Sequence, residues 1–432
     1  MNPKVQADTL DRDVLAAMQR PGKAYWVALA FSATVFAMGL ACWGWQIYKG
    51  LGVAGITHPV GWGVFITDFV FWVGIAHSGT LISAVLFLFR AKFRNSFNRA
   101  AEAMTVIAVL TAGLFPLIHL GRMWFFYWLF PYPNQRLLWV NFRSPLIWDV
   151  FAVSTYLTVS AIFFFVGLMP DLALVRRHAT GWRKALYSTL SLGWVGSDKQ
   201  WKHYIKLYTF LAAFATPLVI SVHSVVSWDF AMSVIPGWHT TIFAPYFVAG
   251  AIFSGCAMVI TLVVPMRKIF KLEHVIPIDH FEMLAKVLLV TSLIVGFSYS
   301  IEWVMALYSG NIFEEGHFIY RLLGDYKHLY WVMVFCNVLA PLIVFSRTMR
   351  RNMVVMFVLS ILVNIGMWLE RFVIIVTSLA NDFDPYNWGL YMPSLIEVGI
   401  TLGSFGMFFT FFLIFTKVLP VVSITEVKEH SA

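Results

Sequence analysis

Histidines, carboxylates and arginines interrupt stretches of this sequence that are otherwise strongly apolar. Three of them, His119, Arg122 and Asp149, lie near the ends of two successive apolar stretches. A charged side chain at the centre of a lipid bilayer costs roughly 2.5–3.5 kcal/mol on insertion scales, so each such residue is a candidate for function. An imidazole and a carboxylate can each accept a hydrogen bond and then a proton. Such a pair suits the oxidation of a quinol, whose two hydroxyls on opposite ring edges release protons as electrons leave.

Each of the three residues also has a purely structural explanation. Asp149 stands about one turn into its helix, where the helix dipole favours a carboxylate. Arg122 can neutralise Asp149 or extend to the membrane surface, and His119 can bond a carbonyl that Pro116 leaves free. The sequence leaves these explanations open. Our hypothesis is that His119 and Asp149 bind the quinol and that Arg122 tunes Asp149.

A second set of ionisable residues inside the apolar stretches makes a candidate path for protons. Buried histidines, interfacial acids and a structural Glu370–Arg371 ion pair would explain the same residues without proton transfer. Asp68 and His77 are nine residues apart, so at about 100° per residue they face opposite sides of one helix. The candidate path comprises Asp68, His77, His223, Asp229, Lys286, Glu302 and Glu370.

The composition excludes a soluble enzyme. Of the 432 residues, 59% are hydrophobic and only 12% are charged, whereas ordinary soluble chains have about 45–50% and 25%. Aromatic residues reach 17%, as expected of lipid-facing helices with aromatic belts at the membrane surfaces. The net charge of +9 would suit nucleic acid, but basic cytoplasmic loops of a membrane protein explain it as well, and we expect no nucleic-acid partner.

Ten apolar stretches are long enough to cross a bilayer, which needs about 20 residues of helix. They predict an all-α integral membrane protein, because a membrane β-barrel would show short alternating segments instead. The predicted spans cover residues 24–48, 60–89, 102–129, 146–169, 203–228, 240–265, 281–308, 328–346, 352–379 and 390–417.

The basic residues orient these helices in the membrane. Alternate loops and the two ends carry 22 of the 31 Lys and Arg residues, and the opposite loops carry only five. The positive-inside rule therefore places both termini in the cytoplasm. In this orientation, most acids and histidines of helices 2–5 gather in the outer half of the membrane.

A weak internal repeat predicts two four-helix bundles. Ser78-Gly79 in helix 2 and Ser254-Gly255 in helix 6 are each followed by a basic loop. Helices 2–5 and 6–9 are therefore expected to form two bundles in the same orientation, flanked by helices 1 and 10. The predicted units are a cytoplasmic N-terminal tail (1–23), helix 1 with its loop (24–59), the first bundle with the quinol site (60–229), the second bundle (230–380), and helix 10 with a cytoplasmic C-terminal tail (381–432).

The cysteines do not form a redox-metal motif. Cys42, Cys256 and Cys336 stand singly in apolar stretches, with no CxxC, no CxxCH and no four-cysteine set. We therefore expect no metal or haem in this chain. Electrons taken from a quinol would need an acceptor in another chain.

Four segments of the sequence resemble a known family. PLIHLGRMWFFYWLFPYPNQRLLWVNFRSPLIWDVFAVSTY spans residues 116–156, and HPVGWGVFITDFVFWVGIAHSGTLISAVLFLFR begins at His58. NVLAPLIVFSR begins at Asn337, and VNIGMWLERFVIIVTSL begins at Val363. Together they resemble the NrfD/polysulfide-reductase membrane-subunit family, and within it most closely the paralogous membrane subunits of bacterial alternative complex III. The resemblance covers helices 2–10, nearly the whole chain.

The resemblance implies a ten-helix subunit that binds menaquinol or ubiquinol near the outer surface of the bacterial inner membrane. His119 matches the family's proposed quinol-site histidine, and Asp149 matches its aspartate. The implied partners are a periplasmic iron–sulfur subunit, which the loop Tyr132–Trp148 would face, multihaem cytochrome c subunits with c-type haems, and a paralogous NrfD-like membrane subunit. The family is also proposed to translocate protons through its two bundles, in respiratory or photosynthetic chains.

Two other functions stay open at this point. A b-haem cytochrome subunit needs axial histidines on facing helices at matched depth, and His77, His119 and His223 superficially provide them. A secondary transporter is compatible with ten helices and a repeat, although transporter halves are often inverted and broken at the midplane. A Soret band from the isolated subunit would favour the b-haem cytochrome. Substrate uptake into proteoliposomes by the subunit alone would favour the transporter.

Overall fold

Ten helices long and apolar enough to cross a membrane run through the residues that the computed structural model describes, 15–16, 18, 21–131 and 144–426. They confirm the predicted all-α membrane fold. Residues 1–14 and 427–432 of the predicted tails, and 132–143 of the loop expected to face a partner, lie outside the described residues. The helices are α1 (Lys23–Lys49), α2 (Val64–Leu88), α3 (Asn98–His119), α4 (Pro145–Arg176), α5 (Asp198–Ala231), α6 (Phe243–Ile269), α7 (Ile278–Tyr308), α8 (Lys327–Phe345), α9 (Met353–Ala380) and α10 (Leu395–Val418).

Two of the predicted helix ends were wrong. The third helix was expected to reach residue 129, but α3 ends at His119, because Gly121 adopts a left-handed φ of 74° that a helix cannot continue. The aromatic segment Met123–Leu129 forms 3₁₀ turns instead. The fourth helix was expected to end at residue 169, but α4 continues through Pro170, which a membrane helix tolerates when neighbouring groups satisfy the freed carbonyl.

The first bundle (α2–α5) and the second bundle (α6–α9) meet where α2 crosses α6. Every residue of α2 from Val64 to Thr80 is buried. Small residues permit the close approach, since Gly255 faces the side chain of Ser78. Ser78 and Ser254-Gly255 of the two pairs that predicted the repeat thus lie at the contact between the bundles, whereas Gly79 packs against α3. The unit boundaries at 60, 230 and 381 stay predictions.

α1 and α10 lie outside the two bundles, as predicted, and they pack against each other, with α10 also resting on α3. Their contact depends on glycine, because a Cβ atom added to Gly39 would overlap the backbone of Gly403. Close backbone approach at small residues is the usual way in which membrane helices associate without a hydrophobic driving force. The rest of α1 is largely exposed, and its side chains face the lipid.

Replacing Gly39 by leucine should separate α1 from α10. Overpacking a tight contact costs about 1–3 kcal/mol, so we expect the apparent Tm of the detergent-solubilised protein to fall by several degrees. Gly44→Leu is the matched control on the same helix, since nothing lies within 4 Å of a Cβ added there. Equal Tm values for the two variants would contradict this packing.

Candidate functional site

His119 is the last residue of α3 and lies at the outer end of the first bundle. Its side chain is half-buried, and its Nδ1 is a buried atom that has no hydrogen-bond partner among the described residues. α1 packs beside it through Gln46, whose amide donates to the carbonyl of Ile118 (2.7 Å). The imidazole is therefore held at a helix end with one ring nitrogen available to a ligand.

Asp149 faces a second carboxyl group. Ser144 and Pro145 start α4 as N-cap and first residue, as predicted, which sets Asp149 one turn into the helix. Its carboxyl group interacts with that of Asp229 in the last turn of α5. Within the described chain, Oδ1 of each lacks a hydrogen-bond partner. Two carboxylates in contact repel each other, so the pair is suited to holding a proton between its oxygens.

Arg122 lies apart from this acid pair. It is exposed, its guanidinium stands beside Gly50 at the end of α1, and Asp149 interacts with Asp229 instead. The expected tuning of Asp149 by Arg122 is therefore not part of this geometry. The structure also records no direct contact between His119 and Asp149. They stand at the outer ends of two packed helices, α3 and α4, so a ligand would have to bridge them.

His77 and His223 form a ring pair in the middle of the first bundle. Their centroids are 4.5 Å apart, and His77 also stacks on Tyr156 at 5.0 Å. Nδ1 of His77 donates to the carbonyl of Val73 (2.6 Å). The remaining ring nitrogens of the pair are buried without a partner in the described part of the chain, which suits an internal water. The ring contact leaves no space for a porphyrin between the two histidines, which argues against b-haem ligation there.

Two residues of the candidate proton path lie away from this pair. Asp68 faces the opposite side of α2, as its spacing predicts, and accepts hydrogen bonds from the indole of Trp368 (2.7 Å) and the hydroxyl of Thr401 (2.6 Å). Lys286 is exposed on α7, with its Nζ near the sulfur of Met283 (3.8 Å). Both carboxylate oxygens of Asp68 are thus hydrogen-bonded to neighbouring helices, and the side chain of Lys286 is exposed at the surface of the protein.

Glu370 of α9 is the centre of a buried polar cluster in the second bundle. Arg371 donates to one of its carboxylate oxygens (2.5 Å), and the hydroxyl of Tyr299 donates to the other. Asn337 donates in turn to Tyr299 (2.9 Å). The charge of Glu370 is therefore paired and bonded from three helices, α7, α8 and α9.

The polar groups of the two bundles approach each other across one aromatic ring. The guanidinium of Arg371 lies 4.2 Å from the ring centroid of Phe247, and the ring of His223 lies 5.9 Å from it on the first-bundle side. Phe247, on α6, thus separates the histidine pair from the Glu370 cluster.

The outer end of the second bundle holds another buried group. Glu302 is joined there by His317 and Arg321 from a short helix that follows α7, and all three are buried. Oε1 of Glu302 and Nδ1 of His317 have no partner among the described residues. A small internal cavity lies between this group and Glu370, and the side chain of Tyr246 borders it. The cavity therefore links the two polar groups.

The inner end of the first bundle contains a buried ion cluster. Arg99 of α3 donates to Glu102 (2.7 Å) and to Asp171 of α4 (2.9 Å). Tyr208 of α5 donates to Glu102 (3.1 Å). The chain beyond α10 closes the cluster, since the hydroxyl of Thr425 donates to Asp171 (2.7 Å).

A family model for polysulphide reductase, NrfD, matches residues 52–381. The match covers well over half of the chain, including both bundles, His119 and Asp149. The chain belongs to the NrfD polysulphide reductase family. Membership favours a membrane subunit of an oxidoreductase over a secondary transporter.

Several curated relatives of this NrfD chain are named as subunits of redox complexes. A protein described as a membrane subunit of dimethyl sulfoxide reductase, from Halobacterium salinarum, is 28% identical over 255 residues, 59% of this chain and 54% of the relative. A selenate reductase subunit from Mesobacillus selenatarsenatis is 22% identical over 425 residues, 92% of this chain and 94% of the relative. The Hdr-like menaquinol oxidoreductase integral membrane subunit from Archaeoglobus fulgidus is 22% identical over 142 residues, 33% of this chain and 34% of the relative. The match thus spans about half the length of the first relative.

Sequence reasoning missed five buried charged or polar residues of this NrfD chain. The spacing of Arg99 and Glu102, three residues apart on one helix, was a usable signal for an ion pair. No such signal marked Asp171, because the predicted fourth helix ended before Pro170. Hydropathy predicts a loop at His317 and Arg321, and only the packing of their short helix buries them.

The NrfD chain should lose local stability at its outer face in mild acid. Burial, and then the neighbouring Arg321 cation, hold the pKa of His317 well below its ordinary value of 6.5. Below pH 6.5, His317 takes up a proton when its helix opens locally but stays neutral when the helix is closed. The free energy of this local opening is therefore highest above pH 6.5 and falls as the pH drops, by up to about 1.4 kcal/mol per pH unit. Hydrogen exchange of the helix Ile312–Leu323 at pH 7.5 and 5.0, corrected for intrinsic rates, measures this.

His317→Gln should remove most of that pH dependence, because glutamine does not titrate. His239→Gln is the matched control, since His239 is an exposed histidine on the same side of the membrane. An unchanged pH dependence in His317→Gln would assign the effect to another group.

Proposed function

We propose that this chain is the quinol-binding membrane subunit of a quinol oxidoreductase, and that it oxidises menaquinol or ubiquinol near the outer membrane face. One observation supports the proposal: within the described residues, proton-accepting side chains with buried, unpartnered atoms stand at the outer ends of α3, α4 and α5. These are His119 and the Asp149–Asp229 pair. The relative named as a menaquinol oxidoreductase subunit supports a quinol as the substrate.

The chemistry assigns one quinol hydroxyl to each side of the site. His119 accepts a hydrogen bond and then the proton from one hydroxyl, and Asp149 does so at the other. The quinol becomes a quinone as it loses both protons and both electrons. Asp229 shares the proton that Asp149 receives and passes it to the outer surface, to which the last turn of α5 leads.

The electrons leave to a partner chain. We assign the first acceptor to a periplasmic iron–sulfur subunit and the next ones to c-type haems of multihaem cytochrome c subunits, as in alternative complex III. A paralogous NrfD-like membrane subunit would stand beside this chain in the bacterial inner membrane. This arrangement rests on the resemblance of the helix 3–4 segment.

The names of the relatives favour a second assignment for the complex. Two are described as subunits of dimethyl sulfoxide reductase and selenate reductase, so a terminal reductase could receive the electrons in place of the cytochromes. Quinol oxidation in this chain is common to both assignments. Affinity purification through this chain distinguishes the two assignments. Copurified multihaem cytochromes support alternative complex III, and a copurified catalytic reductase subunit supports a terminal reductase.

His119→Ala and Asp149→Asn should each lower quinol-driven reduction of the purified complex by about 100-fold or more, because a positioned acid–base group contributes roughly 10²–10⁴-fold. Stopped-flow absorbance of the partner's redox centres measures the rate. All subunits should still copurify with either variant.

His203→Ala is the matched histidine control, because His203 is exposed at the opposite end of α5. It should reduce the partner's centres at the wild-type rate. Wild-type turnover in His119→Ala or Asp149→Asn would move the quinol site to another subunit.

Proton translocation is the second part of the proposed function. The histidine pair, the Glu370 cluster and the Glu302 group supply buried titratable residues in both bundles, with Phe247 and a small cavity between them. Asp68 and Lys286 are left out of this path, because the first is fully hydrogen-bonded and the second is exposed. Protons would move through internal waters at the unpartnered nitrogens.

Glu370→Gln should leave quinol oxidation intact and lower the number of protons released per quinol to the two that quinol chemistry supplies. The amide keeps the shape of the carboxylate but cannot carry a proton. A pH-sensitive dye in proteoliposomes that contain the whole complex measures this ratio. Glu315→Gln, at an exposed glutamate of the outer face, is the control. A wild-type ratio of two would overturn translocation altogether.

A further inference from the structure

A shallow apolar groove runs along the lipid-facing side of α3 towards His119. α1, α3 and α10 form its walls, and its lining includes Leu40 and Trp43 of α1 and Phe115 and Ile118 of α3. Along α3 the groove extends from Thr111 to Ile118, which is about 10 Å at 1.5 Å per residue. Its outer end is therefore the residue next to His119.

Two polar atoms of α1 are buried near the outer end of the groove: one on Trp43, which lines it, and one on Gln46, which lies one turn further along α1 beside Ile118. Within the described residues, neither the indole Nε1 of Trp43 nor the amide oxygen of Gln46 has a hydrogen-bond partner. The two residues stand three positions apart on α1, so they share one helix face. Gln46 is directed at the end of α3, because its amide nitrogen bonds the carbonyl of Ile118.

Unpaired buried polar atoms are uncommon, and each one points to a missing partner. The indole N–H can only donate a hydrogen bond, and the amide oxygen can only accept one. A hydroxyl group satisfies both at once, since it accepts from the indole and donates to the amide. A saturated lipid chain would satisfy neither.

We propose that the groove between α1, α3 and α10 is the lateral entry channel for the quinol, with its isoprenoid chain in the groove and one hydroxyl held between Trp43 and Gln46 before the ring advances to His119 and Asp149. This inference rests on the proposed quinol oxidation at His119 and names where the substrate lies and how it arrives. α1 is largely exposed to lipid, so a quinol dissolved in the bilayer reaches the groove without crossing the bundle.

The position of the groove favours a quinol over other occupants. It is lined by apolar side chains, including the exposed Leu40, and ends at polar groups beside a titratable histidine. A membrane-soluble molecule with an apolar chain and a hydroxylated ring has this same distribution of polarity. α1 and α10, which lie outside both bundles, thereby gain a direct role at the site.

The test compares two substrates in the intact complex, menaquinol-4, which carries an isoprenoid chain, and menadiol, which lacks one. Leu40→Trp fills the groove and should raise the ratio of the KM for menaquinol-4 to the KM for menadiol about tenfold, equivalent to about 1.4 kcal/mol. Leu110→Trp is the matched control, because Leu110 is a similarly exposed leucine (42% against 47% for Leu40) that does not line the groove.

A second variant tests the polar end of the groove. Trp43→Phe keeps the ring and removes the N–H, so the KM for both substrates should rise about fivefold through the loss of one hydrogen bond. A purely structural role of the indole would alter stability and leave both KM values unchanged.

The outcomes separate this inference from the proposed function. If the wild-type complex oxidises neither quinol, the proposed function itself is overturned. If it oxidises both, and Leu40→Trp gives the same KM ratio as Leu110→Trp, the groove holds something else, such as a phospholipid chain, and only this inference fails.

Discussion

Hydrocarbon offers no hydrogen bonds, so every polar group that this chain carries into the membrane must find its partner inside the protein. That requirement explains why the ionisable side chains occur in sets drawn from several helices. Arg99 is held by acids of α3 and α4, and Glu370 by groups of α7, α8 and α9. Removing one member of such a set leaves a buried charge, which costs far more than the pair contributes.

Buried polar groups that lack a partner in the described chain are informative, because they depart from this requirement. His119, Asp149, the histidine pair and Gln46 have buried atoms without partners in the described chain, and most of them lie in the outer half or the middle of the first bundle. A structure that satisfies both oxygens of Asp68 could have satisfied these as well. Under the proposed function, a quinol, a water or a moving proton supplies the missing partner.

The close crossing of α2 and α6 connects the two halves. Because Gly255 admits the side chain of Ser78, the helices approach near enough for residues of both bundles to contact Phe247 from either side. Two bundles that merely touched through large side chains would leave His223 and Arg371 further apart. The contact between Ser78 and Gly255 thus brings the polar centres of the two bundles together.

Hydropathy and charge determined much about this protein without any structure. The apolar stretches specify ten spanning helices, because length and polarity alone decide what lipid accepts, and the basic loops orient them. The motif around His119 and Asp149 identified the family and two candidate site residues. Only the tertiary structure decided which side chains meet, since periodicity says which face a residue occupies and nothing about the neighbour across it. Asp149 meets Asp229 and not Arg122, Asp68 turns to α9 and α10, and Gln46 of an outlying helix reaches the end of α3, because helix packing sets these contacts over long sequence separations.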